Sequence, residues 1–292
     1  MTRITNRPLG PVYRDGAPAD AAAVANLVGR ASREQRHLNE WMIAQGHVVV
    51  AVWNDDIVGV GASATNSVHP ARVTRAVLVA EEHRRSGIGS GLLARVRDLD
   101  NLPSRVRVPA EDAATVAFFR RHGLATLVAS RLIVVDPRRH SVARWAENVS
   151  PIAGLELTPV VVPLADEVVS SVVALYERTH RWDPPAPLSL ADARRYLTDD
   201  VCFGVTAMHG GDVRGVALAH HADVHEVAFA GGVAEGDALL SQVLVAWLCA
   251  HAEGALEFEV DEGEGASDDL MGALRAVPEA TIKSSVLILG ER

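Results

Sequence analysis

Cysteine is scarce. The 292 residues hold two, Cys202 and Cys249, which leaves no material for a disulfide framework or a Cys-x-x-Cys zinc site. No apolar run approaches the roughly 18 residues that a membrane-crossing helix needs. Met1 to Gly16 has early arginines but no apolar core segment, so no secretory signal is expected and the cytoplasm is the expected setting. Aromatics make up 4% of the chain and no basic run is interleaved with them, which argues against a nucleic-acid partner. Lysine is almost missing, and with Ala and Val abundant we read this as base composition. What remains, 48% hydrophobic and 22% charged, is an ordinary globular chain long enough for one large domain or two moderate ones. The charge is divided unevenly: residues 1–140 carry a net +6 and residues 141–292 a net −15, within the overall −9. Such asymmetry suggests two units with different surfaces.

The most informative stretch runs from Val77 to Leu93. Apolar Val77-Leu78-Val79-Ala80 reads as a strand, Glu81 to Arg85 as a charged turn and Ser86 to Ser90 as a glycine-rich bend. Leu92, Leu93, Val96 and Leu99 then keep helical spacing. Glycines at 87 and 89 permit positive φ and close approach where the helix begins. Unpaired N–H groups at such an end attract anions, and Arg84 and Arg85 add positive charge. A phosphate-bearing, nucleotide-like ligand is therefore expected. The ATP-binding loop is excluded, because no lysine follows the glycines. The dinucleotide fingerprint is weakened but stays open: Leu92 takes its third glycine position, while Glu111 lies about twenty residues onward.

Arg84-Arg85-Ser86-Gly87-Ile88-Gly89 resembles the Arg/Gln-x-x-Gly-x-Gly/Ala signature of the GNAT acetyltransferase superfamily. The resemblance implies acetyl-CoA as co-substrate. Arg84, Arg85, Ser86, Gly87, Ile88, Gly89 and Ser90 would wrap its pyrophosphate, and the strand Val77, Leu78, Val79 would meet its pantetheine arm. Asp112 to Leu124 resembles a second family pattern, Asn-x-x-Ala-x-x-Phe-Tyr-x-x-x-Gly-Phe, with the spacing kept. Asp112 stands for Asn, Phe119 for Tyr and Leu124 for the last Phe; Phe118 is expected in the core. Asp112 and Phe119 are carried over as cofactor-side positions. In many members that Tyr protonates the departing thiolate, and phenylalanine has no proton to give, so activity is in question while cofactor binding is not.

The order of elements supports the resemblance. A helix over Asp20–Gln35, with Asp20 as N-cap, precedes a hairpin of His47–Trp53 and Ile57–Ala64 turned at Asn54-Asp55-Asp56. Strand 72–79, the bend, helix 90–100, strand 105–108, helix 112–122 and strand 126–135 follow. A dinucleotide fold would more naturally open with a parallel unit. Pro137 to Gly154 reads as an irregular joint. The order then repeats at an offset near 150 residues: helix 166–179, strands 202–208 and 213–219 around a His209-Gly210-Gly211-Asp212 turn, strand 225–230, helix 238–251, and strands 257–260 and 285–289. In place of the phosphate loop the second copy has Gly231 to Asp237, where Glu235 and Asp237 suit a helix start but repel a pyrophosphate.

The expectation is an α/β protein of α+β type, a mixed sheet flanked by helices, in tandem GNAT-like domains: 1–140 binding acetyl-CoA and 141–292 degenerate. The implied activity is transfer of an acetyl group to the amine of a small-molecule or peptide acceptor; the competing class is a non-catalytic acyl-CoA sensor or scaffold. Glu40, His69, Glu81, Glu82 and His83 are possible general bases, and no catalytic residue is named. His220, His221 and His225 read as a polar strand edge, with no metal expected. Trp182 to Pro187 reads as a stiff connector, and Asp261 to Glu264 as a solvated loop.

Overall fold

The computed structural model describes residues 10–30, 40, 42–199, 201–220, 225–230, 238–262 and 265–291. Contacts divide the chain into two units: Met1–Val108 with Ala114–Ala125 and Ile288–Arg292, and Pro109–Ala113 with Thr126–Leu287. This division differs from a cut near residue 140, because the last strand of the first half counts with the second unit.

The first unit orders its sheet β1 (Val12–Asp15), β2 (His47–Trp53), β3 (Asp56–Thr65), β4 (Val73–Val79), β5 (Ser104–Pro109). The first three pairings are antiparallel and β4/β5 is parallel. Side chains alternate across β3, which decides what covers each face. Val60 turns with Val50 toward Val24 and Val28 of α1 (Ala21–Gly29). Gly59 and Gly61 turn the other way, under α2 (Ile88–Arg97). A Cβ at Gly59 would stand 2.9 Å from Leu92 and 3.2 Å from Ile88, and one at Gly61 3.0 Å from Val96. The i, i+4, i+8 row of α2 therefore lies on bare backbone. Ile88, Leu92, Leu93 and Val96 are buried there, each contributing about 1.5–3 kcal/mol as an upper bound.

Asp20 stands at the N-cap position of α1, as expected, but with helical backbone, because it also ends a short 3-10 turn (Pro18–Asp20), and its side chain makes no capping bond to α1. Its carboxylate instead takes two bonds from Arg14 (2.6 and 2.9 Å) and one from the Ala17 amide. The Arg14 hydrogen bond foremost lowers its pKa to about 2.

In the second unit the order is β12 (Thr281–Gly290, to Leu287), β6 (Ala125–Val135, from Thr126), β11 (Leu256–Glu262), β10 (His225–Ala230), β9 (Asp212–His220), β8 (Val201–His209), β7 (Leu155–Pro159). β10 and β11 pair in parallel. Val216 and Leu218 of β9 face α5 (Asp166–Thr179) and α6 (Leu190–Thr198). Ala217 and Ala219 face α7 (Ala238–His251), with α4 (His140–Asn148) and α8 (Gly265–Ala276) in the same cluster. Two readings are corrected here. The joint at 137–154 contains helix α4, whose Val142, Trp145 and Ala146 form a narrow apolar stripe. Asp261 and Glu262 belong to β11; the Asp261 side chain is only 13% exposed, 3.8 Å from His180. Positions 263 and 264 lie outside the described residues.

The two hairpins preserve the repeat. Asn54 and Asp55, like Gly210 and Gly211, are the two loop residues and all have positive φ, the two-residue turn that matches strand twist. Each hairpin then slips register at the same place: Val52↔Ile57 is followed by Ala51↔Gly59, and Met208↔Val213 by Ala207↔Gly215.

At the far end of α2 a buried arginine ties the first unit together. Arg75, 1% exposed, donates to Ser104 Oγ (2.8 Å), Asp100 Oδ1 (2.8 Å), Leu102 O (3.3 Å) and Val96 O. Burial depresses its pKa and Asp100 opposes that. Glu291 accepts from the Ser104 amide (2.9 Å) and from Arg97 (2.8 Å).

Arg75→Met should lower the unfolding free energy by about 3 kcal/mol, since it strands the groups the guanidinium serves; an unchanged urea midpoint would refute the network's role. Gly91→Ala overlaps the Tyr13 ring, and should cost about 1–3 kcal/mol, part of which Tyr13→Leu restores in the double variant.

Candidate functional site

The pairing of β4 determines which of its backbone groups are available. Ala80 N donates to Val58 O at 2.9 Å, so in an antiparallel ladder Leu78 and Ala76 also turn their backbone to β3. Val77 and Val79 point theirs to the opposite side. There the parallel ladder with β5 pairs Val73 with Ser104 and Thr74 with Arg105, and Val73 N donates to Pro103 O at 2.9 Å. Val77 and Val79 lie beyond those two pairs. The Val79 carbonyl accepts from Arg84 Nε at 3.2 Å. Leu78, by contrast, packs with the α1-facing cluster.

After β4 the chain makes a 3-10 turn (Glu81–His83) and enters the glycine bend. Arg85 and Gly87 take left-handed backbone, with φ of 65° and 87°. Gly87 caps α2, and its carbonyl accepts the helix's first bond from Gly91 N at 3.1 Å. The amides of Ile88, Gly89 and Ser90 precede that bond and have no acceptor within the helix. Arg84, Arg85 and Ser86 are exposed around them, and Ile88 is buried as the helix's first anchor. A Cβ at Gly87 would meet nothing within 4 Å, whereas one at Gly89 would stand 3.4 Å from the Phe118 ring.

Phe118 and Phe119 belong to α3 (Ala113–Arg121), and Phe118 is not the core residue expected. Phe118 is only half-buried and lies beside Gly89, whereas Phe119 is 4% exposed and meets Phe118 edge-on at 5.0 Å. Ring contacts could not be read from sequence, where adjacent phenylalanines look alike. Asp112 sits in the turn before α3, its amide donating to Pro109 O at 3.0 Å, in the segment counted with the second unit.

The possible bases are scattered. Glu81 and Glu82 are exposed in the 3-10 turn, and Glu82 lies 3.9 Å from Arg30. His83 is half-buried with its ring 5.6 Å from Trp53. His69 is buried in the β3–β4 connection, and Glu40 is exposed. Elsewhere, His220 meets Asp199 O at 3.1 Å. His221, the side chain of His225 and the stretch Gly231–Asp237 lie outside what is described. The Trp182–Pro187 connector is irregular, with Asp183 wholly buried.

Residues 44–123 match the family model described as an acetyltransferase (GNAT) domain. No curated protein sequence matches the chain. Among solved structures, the chain is similar to a GCN5-related N-acetyltransferase from Sphaerobacter thermophilus, with 16% identity, TM-score 0.64, and 98% of this chain and 96% of that one covered. It is similar to a tandem GNAT protein from the clavulanic acid biosynthesis pathway, with 15% identity, TM-score 0.55, and coverage of 96% and 98%. A GCN5-related glucosamine N-acetyltransferase region in a fungal multi-domain β-N-acetylglucosaminidase aligns at 14% identity and TM-score 0.66, over 97% of this chain and 38% of that one. Residues 44–123 thus match the GNAT acetyltransferase domain model, and the chain shares the fold of these structures, a tandem GNAT protein among them.

Proposed function

We propose that residues 1–140 bind acetyl-CoA and transfer its acetyl group to the amine of a small-molecule or peptide acceptor, with residues 141–292 a degenerate second copy. One observation carries the reading: the strand whose outward backbone lies at Val77 and Val79 leads directly into a helix start with three amides outside the helix ladder. The residues fit such a cofactor. Backbone N–H groups of Ile88, Gly89 and Ser90 would hold a pyrophosphate, Gly87 leaves its approach open, and Arg84 and Arg85 would balance its charge. The Val77 and Val79 backbone would pair with the amides of the pantetheine arm. When bound, acetyl-CoA supplies an activated thioester carbonyl. Transfer joins the amine nitrogen to that carbon and breaks the carbon–sulfur bond. The amine gives up a proton and the sulfur takes one. Phe119 is buried and has no proton to offer, so the sulfur's proton comes from another group or from water. The proposed setting is the cytoplasm; among the described residues no helix is long and apolar enough to cross a membrane.

The same Phe119 favours a second reading, a sensor or scaffold that binds acyl-CoA without turnover. Calorimetry should find acetyl-CoA binding at one site with Kd on the order of micromolar, and NADPH should not bind. Arg84→Glu should weaken acetyl-CoA at least about tenfold. Failure of acetyl-CoA to bind would overturn both readings. If it binds, turnover with a broad amine panel supports the enzyme, and no turnover with any amine supports the sensor.

A further inference from the structure

His122 was not singled out by sequence, yet its ring is held against the first turn of α2. It follows α3 directly, and its amide lies 3.0 Å from Phe119 O and 3.3 Å from Phe118 O. Its carbonyl accepts from Arg97 Nη2 at 3.0 Å. The imidazole packs on Phe118, centroids 4.7 Å apart, and Nε2 stands 3.0 Å from Ser90 Oγ. Phe118 is the ring beside Gly89, and Ser90 contributes the third amide outside the helix ladder. The imidazole is therefore one hydroxyl away from the proposed phosphate seat.

We propose that Ser90 and His122 form part of that seat, and that His122 takes up a proton as the cofactor's phosphates arrive. The inference rests on the acetyl-CoA reading. A hydroxyl has one proton to give. When the imidazole accepts at Nε2, the Ser90 O–H is spent on the ring. When the ring is protonated, Nε2–H donates to Oγ, and the Ser90 proton is released to bond an anionic oxygen. Protonation thus gives the seat both a cation and a donor. The charged groups facing His122 are Arg97 from α2, itself paired with Glu291, and Arg121 from α3. Burial first, then these two cations, hold the pKa of His122 below the ordinary histidine value. A bound phosphate offsets all three by placing negative charge alongside. The pKa is then higher in the complex than in the free protein, so binding strengthens as pH falls and weakens as pH rises through the complex's value.

The probe is dephospho-CoA, whose diphosphate lacks the 3′-phosphate that itself titrates near neutrality. Calorimetry on the full chain between pH 6 and 8, in buffers of differing ionisation enthalpy, counts protons directly. Wild type should take up a fraction of a proton near pH 6.5 and bind about three- to tenfold more tightly at pH 6 than at pH 8, a factor of ten corresponding to one unit of pKa shift. His122→Gln, whose amide still reaches Ser90, should bind without uptake and with a flat profile. Ser90→Ala should weaken binding at pH 6 more than at pH 8. Equal proton uptake in wild type and His122→Gln, or binding without uptake in wild type, overturns this inference alone. No binding of dephospho-CoA or acetyl-CoA to wild type overturns the acetyl-CoA reading with it.

Discussion

The seating of α2 on two glycines is the contact on which the geometry of the first unit's glycine bend depends. Gly59 and Gly61 let Ile88, Leu92 and Val96 rest on strand backbone, which fixes the height and direction of the helix. Its first amides then emerge beside the end of β4. A helix dipole and three N–H groups are useful to an anion only if they point at a fixed place, and here the core fixes it. The opposite end of α2 is fixed by Arg75, which joins Val96 O to Asp100 and Ser104. Apolar packing thus sets one end of the helix and a buried polar network the other.

The second unit repeats the scaffold with different material. Both hairpins use a two-residue left-handed turn and the same register slip. One turn is built from Asn-Asp and the other from Gly-Gly, because both pairs tolerate positive φ. Local geometry has therefore outlasted side-chain identity. The face of β11 that carries Glu257, Glu259 and Asp261 alternates with wholly buried Leu256, Phe258 and Val260. Partners meet those carboxylates: Lys283 at Glu257, Ser130 at Glu259 and His180 near Asp261.

Much of this was legible in sequence for physical reasons. The strand His47–Trp53 and the helices 166–179 and 238–251 have the expected limits because their apolar patterns are long and bounded by clear turn residues. The glycine bend was legible because positive φ and a helix start both leave a composition mark. Helix α4 was not, since three apolar residues among charges carry little periodic signal. Asp261 and Glu262 resembled a loop because acidic residues usually seek water, and only β6 alongside explains their place in a strand. The contacts of Phe118 with Gly89 and of Ser90 with His122 join positions about thirty residues apart. Such approaches belong to packing, which no local pattern reports.

The make-up of the first unit also orders events in time. Ser104 is joined to Glu291 across 187 positions, and the whole second copy lies between them. A chain emerging from the ribosome completes α2, its glycine bend and Arg75 early, yet the carboxylate that secures Ser104 and Arg97 arrives only after the other unit has been made. The first unit to be started is therefore the last to be finished, and a chain interrupted within the second copy leaves that polar network open.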